Sequence, residues 1–133
     1  MQNDPEQPLG GIAYIPAHRD EYILRPGEPK KKRWPLRTKQ AFIETIFSRE
    51  GMTPLTATIE GDKTRIIDGV ERILAIYEFA DNQFKTFTIE QGAHMHYAVH
   101  PHTAGLFFDE LPEGYRQQFL KYGLPFFIEH LPQ

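Results

Sequence analysis

Arg65-Ile66-Ile67-Asp68-Gly69-Val70-Glu71-Arg72-Ile73-Leu74-Ala75-Ile76-Tyr77 is the stretch that decides the fold. A β-branched pair runs into Asp-Gly, and an amphipathic helix then opens with an arginine in its first turn. The reading is strand, tight turn, helix N-terminus. Glycine supplies unusual φ values and close backbone approach. Unpaired N–H groups at a helix start, together with the helix dipole, favour an anion there. Arg72 is placed to add a bidentate clamp.

Outward from this stretch, Leu55 to Ile59 is β-rich and Glu60-Gly61-Asp62 makes a turn, so 55–67 reads as a hairpin. Upstream, the pattern turns helical from Pro35. Phe42, Ile43, Ile46 and Phe47 share one face of a 3.6-residue period, and Gly51 is the expected stop. Ile12 to Ile15 reads as a short strand ending at Pro16, and Tyr22 to Leu24 as a second. Residues 1–11 read as a flexible lead-in, and Arg25 to Arg33 as a loop. Downstream, the second helix runs to about Asp81, with Ile73, Ile76, Tyr77 and Ala80 inward. Phe84 to Ile89 reads as a strand. Leu111 to Tyr122 reads as a third helix with Tyr115, Phe119 and Leu120 inward, and Leu124 to Ile128 as a final strand. Mixed hairpin and helix-separated strands predict a compact α/β or α+β domain over 12–133, with three main helices.

The 133 residues suffice for one domain with a core. Net charge is −3, so no whole-protein footprint for nucleic acid exists. A local one remains at Lys30-Lys31-Lys32-Arg33 with Arg37 and Lys39, a candidate DNA contact whose bland counterpart is a solvated loop. The chain has no cysteine, which excludes disulfides, thiolate zinc ligands and a thiol nucleophile, and fits a reducing cytoplasm. No apolar run approaches the ~18 residues of a membrane span.

The order Ile15-Pro16-x-His18-Arg19, Trp34, Lys39-Gln40-x-x-Ile43-Glu44-x-Ile46, then Ile67-Asp68-Gly69-x-x-Arg72-x-x-x-Ile76-Tyr77-x-Phe79 resembles the N-terminal domain of GmrSD-type restriction systems. In that family an Ile-Pro-x-Phe-Gln-Arg segment precedes a Trp and a Gln-containing helix, and an Asp-Gly-Gln-Gln-Arg motif opens the next helix. Phe108-x-x-Leu111-Pro112 through Phe119-x-x-Tyr122-x-Leu124-Pro125 fits the helix and strand that follow. The resemblance covers about residues 12–130. It implies a ParB/sulfiredoxin-like fold, a small mixed sheet with three main helices. It also implies a domain that binds and hydrolyses nucleoside triphosphate, in modification-dependent nucleases of restriction and phage defence. It does not reach the family's separate HNH-like nuclease half.

Residue by residue, Asp68, Gly69, Arg72 and Arg19 match the family. Val70 and Glu71 stand where the family has two glutamines, and His18 where it has one. The resemblance therefore implies a phosphate site of Arg19, Asp68, Gly69, Val70 and Arg72, with Arg19 facing Arg72. Gly69 and Val70 would donate N–H groups, and Asp68 would cap the helix and hold Mg²⁺ as an outer ligand. His18 and Gln40 are supporting candidates. Hydrolysis is expected to be slow without the glutamine pair, and nucleotide state is expected to bias contact with DNA or a nuclease partner.

Two alternatives stand beside this. One is a non-catalytic module that binds DNA or protein through the segment from Lys30 to Lys39. The other is a metalloenzyme built on His94, His96, His100 and His102, since His94-x-His96 on a strand would project two rings to one face. Pro101 and the lack of an intervening carboxylate weigh against it. Trp34 reads as a core anchor, and Glu44 as part of a solvated helix face.

Overall fold

The structure, a computed structural model, describes residues 11–24 and 33–129. The expected lead-in at 1–10 and the loop at 25–32 lie outside the described residues.

The hairpin is the centre of the sheet. β2 (Leu55–Glu60) and β3 (Lys63–Asp68) are antiparallel, joined through Gly61 at φ +66°. β1 (Tyr22–Leu24) runs parallel to β3, and β4 (Phe126–Ile128) runs parallel to β2. The order is β1-β3-β2-β4. The register sets Ala57 beside both Ile66 and Ile128, Leu24 beside Ile66, and Leu55 beside Phe126. Because side chains alternate along a strand, these residues share one face, and that face belongs to the core. The period of two turns Ile67 and Phe127 to the other face, where each is half exposed.

Among the described residues five α-helices accompany the sheet: α1 (Tyr14–Ala17), α2 (Leu36–Phe47), α3 (Val70–Ala80), α4 (Ile89–His94) and α5 (Glu113–Lys121). The fold is α+β, with α2, α3 and α5 as the expected three main helices. α3 buries Ile73, Ala75, Ile76 and Phe79 completely. Phe79 collects the aromatic centre of the core: its ring lies 5.5 Å from Phe84, 5.8 Å from Phe108 and 5.2 Å from Phe119, and Phe119 lies 6.3 Å from Phe47. Edge-on and tilted ring packing of this kind adds to simple area burial.

Several expectations are corrected. Ile12–Ile15 is not a strand: Gly11–Ala13 forms a 3₁₀ turn that runs into α1. Ile12 and Ile15 are both fully buried, and their i, i+3 spacing is that of a helical turn. The segment is fastened by Ile12 N–H donating to Tyr122 O at 3.0 Å. Phe84–Ile89 is not a strand either. Its backbone pairs irregularly, with Thr86 N–H on Leu106 O at 2.9 Å, and Thr88 and Gln91 form a capping box that starts α4 at Ile89. That signature, Thr-x-x-Gln, was present in the sequence. α2 ends at Phe47, before the expected stop at Gly51. The inner face of α3 includes Ala75 and Phe79, whereas Tyr77 and Ala80 are only half-buried.

Gly69 holds φ +108°, and a Cβ built there lies 2.6 Å from Leu55 Cγ and 2.7 Å from Leu55 Cδ2. Gly69→Ala is expected to lose about 2–4 kcal/mol in urea denaturation, from overpacking plus left-handed strain. Gly61→Ala, at φ +66° with open space around it, is the comparison. It carries only the strain, about 1 kcal/mol.

Candidate functional site

The turn between β3 and α3 has the predicted form. Asp68 closes the strand, Gly69 turns left-handed as the N-cap residue, and Val70 opens the helix. The cap differs from expectation. Asp68 is an exposed strand residue opposite Thr56, and Gly69 occupies the N-cap position with no side-chain cap bond. An Asp one residue too early cannot return its carboxylate to the helix start, and glycine has none to offer. The room that glycine leaves is filled by Leu55 on one side. Arg72, one residue into the first turn beyond Glu71, donates from Nη1 to Thr53 O and so ties the α3 start to the segment before β2.

Glu71 is turned toward α2. Its Oε1 accepts from Trp34 N–H at 3.0 Å and from Arg33 Nε at 3.2 Å. Two turns along the same face, Glu78 accepts from Arg33 Nη2 at 3.1 Å and from Lys39 Nζ at 2.5 Å. This cluster fixes how α2 lies on α3 and seats Trp34, whose ring meets Phe42 edge-on at 5.8 Å, as the expected core anchor.

The other expected site residues are not gathered at the turn. Arg19 reaches the opposite end of α3, where Nη1 and Nη2 donate to Asp81 at 2.9 and 2.7 Å and the guanidinium lies over Tyr77, 4.5 Å from the ring centre. Nine residues at 1.5 Å each separate Asp81 from Arg72 along the axis, about 13 Å. Arg19 therefore does not face Arg72, and its pairing holds the Asp81 carboxyl below the ordinary range. His18 stacks on Tyr14 at 3.9 Å, with Nδ1 2.9 Å from Tyr14 O. Gln40 is buried and donates to Lys85 O at 2.9 Å while accepting from Arg37 at 2.6 Å. Of the candidate DNA contacts, Arg33 and Arg37 are held by these bonds, and Lys30, Lys31 and Lys32 lie outside the described residues.

The histidine stretch is not a strand. His94 ends α4 and His96 takes φ +63°. Gly92 allows the reversal: a Cβ there would meet Val99 Cγ2 at 2.2 Å. Thr86 Oγ1 donates to Thr103 O and accepts from Leu106 N–H, pinning the loop that follows. Among the described residues no three His, Asp or Glu side chains converge as metal ligands.

Instead this loop walls a cleft of about 590 Å³ against α2 and α5, lined by Glu44, Phe47, Ser48 and Glu50 on one side and by Met95 to Ala98, His100, Thr103, Tyr115 and Gln118 on the other. His100 lies 5.3 Å from the Tyr115 ring and 5.0 Å from that of His102. Glu44, expected on a solvated face, is only 5% exposed, and its Oε2 has no hydrogen-bond partner among the described residues. Desolvation pushes its carboxyl up to about 7. A periodicity count marks Glu44 as polar and therefore outward, whereas in the fold it is buried beside the cleft that the loop after α4 helps to wall.

No family model, curated protein or solved structure matches this chain.

The folded protein holds the Glu44 proton more tightly than the unfolded chain, whose carboxyl titrates near 4.5. This stabilisation is complete below pH 4.5 and is lost as pH rises through about 7. Relative to Glu44→Gln, the wild type is therefore expected to lose about 3 kcal/mol between pH 4.5 and 7 and little more above. Urea midpoints of both proteins across pH 4.5–8 check this.

Proposed function

We propose that the chain is a nucleotide-binding domain related to the N-terminal domain of modification-dependent restriction and phage-defence nucleases. The observation that carries this reading is Gly69, at φ +108° between the end of β3 and the start of an eleven-residue helix with Arg72 in its first turn. It gives the Asp-Gly-x-x-Arg segment the strand-turn-helix form on which phosphate binding at a helix start depends. The order of the other motifs, from Ile15-Pro16 to Leu124-Pro125, supports the same family and a ParB/sulfiredoxin-like fold.

In this reading the first N–H groups of α3 and the free side of the Arg72 guanidinium hold a phosphate. Glu71 does not oppose it, because its carboxylate is turned to Arg33 and Trp34. Asp68 is exposed and offers the hard carboxylate oxygens that Mg²⁺ prefers, which suits an ion carried in with a nucleotide. Arg19 serves the fold as a strap onto the end of α3. Val70 and Glu71 supply no side-chain amide to orient a water, so the domain binds nucleotide with slow turnover, and the bound state biases its contact with DNA or a nuclease partner.

Thermal shift with ATP, GTP, CTP and UTP plus Mg²⁺ tests the reading. A ligand at ten times its Kd adds about 1.4 kcal/mol, enough for a shift of several degrees. At least one nucleotide is expected to give it, and Arg72→Ala to weaken that binding about tenfold or more. Arg19→Ala is expected to cost under about 1 kcal/mol of stability, as exposed pairs do, and to leave affinity unchanged. A wild type that no nucleotide shifts at millimolar concentration sinks the proposal. DNA binding that is lost in Lys31→Glu/Lys32→Glu but kept in Arg72→Ala makes the chain an interaction module instead.

A further inference from the structure

The cleft beside α2 has no part in the phosphate turn and carries its own chemistry. Glu44 projects from the third turn of α2, is nine-tenths buried, and leaves Oε2 without a partner. An orphaned carboxylate oxygen in a protein interior is costly, and natural cores rarely keep one without use. Glu44 lines an opening of about 590 Å³, within the range of small-molecule sites. Among the described residues the lining contains two glutamates, Glu44 and Glu50, and no Lys or Arg. Tyr97, Tyr115 and Phe47 bring aromatic surface to the same space. Carboxylate, net negative charge and aromatic rings together are the complement of a positively charged nitrogen.

We propose that this cleft binds an organic cation, an ammonium or guanidinium group seated on the Glu44 carboxylate and flanked by the aromatic lining. The cation supplies the hydrogen-bond donor that Glu44 lacks and the countercharge that its burial demands. Binding displaces the proton that burial holds on Glu44 up to about pH 7. The other titratable groups of the cleft are Glu50 beyond α2, His96, Tyr97 and His100 on the loop, and Tyr115 on α5. Acid therefore opposes the cation by returning the proton to Glu44.

The test is titration calorimetry of the full chain with agmatine and putrescine, with butylurea as a neutral control. At pH 8 agmatine or putrescine is expected to bind about tenfold or more tightly than butylurea, and to lose about tenfold in affinity at pH 5.5. Glu44→Gln is expected to lower cation affinity about tenfold or more. Met95→Lys sets a competing ammonium at an exposed position of the lining and is expected to do the same without touching the core. Arg72→Ala is expected to leave cation binding intact, which separates this site from the phosphate turn. Stronger binding of Nα-acetylarginine amide than of agmatine assigns the cation to a polypeptide side chain, and the reverse assigns it to a free amine; both support the seat. No binding of any cation at millimolar concentration overturns the proposal. Equal affinity in wild type and folded Glu44→Gln, or equal affinity for butylurea, overturns it as well.

Discussion

Everything in this molecule turns on the close approach of Gly69 to Leu55. β3 and α3 are joined by a single residue, so the chain must reverse its course at one φ, and the left-handed value of +108° is nearly the preserve of glycine. The missing side chain lets α3 settle against β2, with Leu55 filling the space a Cβ would take. From that placement follow the complete burial of Ile73, Ile76 and Phe79 and the ring cluster around Phe79. A bulkier residue at 69 would lift the helix off the sheet, and the packed core would open along its length.

The helix so placed is held along two further lines. One is polar and faces α2: Glu71 and Glu78 divide Arg33, Lys39 and the Trp34 backbone between them. The other is the strap of Arg19 onto Asp81 at the far end. Each is partly solvated and modest in energy, yet together they fix the rotation of α3 about its axis, which apolar contact alone specifies weakly. Residues that resemble ligands in the sequence, Arg19, Gln40 and Arg33, are hydrogen-bonded within the fold instead.

The hairpin, α2, α3 and the turn at Gly69 were legible because each is specified locally. Periodicity marks the helices, β-branched runs mark the strands, and Asp-Gly marks the turn. Ile12–Ile15 and Phe84–Ile89 were misread because a segment of four to six residues is too short for its apolar positions to separate a strand from a turn or irregular backbone. In the first case a distant carbonyl, Tyr122 O, decides; in the second, Leu106 O does. The Asp68 cap missed by a single position, within the ordinary error of a helix boundary. The Glu44 cleft was invisible for a deeper reason. Its walls come from residues 44–50, 95–103 and 115–118, and neither charge nor burial of a wall can be inferred until the other walls are in place.

Tyr122 joins three distant parts of the chain. Its carbonyl accepts from Ile12 N–H at 3.0 Å, and its hydroxyl donates to Glu50 O at 2.9 Å. Gly11 presses on the backbone of Leu120 and Lys121, where a Cβ would come within 2.9 Å. The segment around Ile12 is thus made well before residue 122, the partner of its backbone N–H. At ordinary synthesis rates that wait is on the order of ten seconds. Throughout it two isoleucines that end fully buried lack the α5 part of their native surface, so the nascent chain passes through a stage in which these apolar residues are available to chaperones or to other chains.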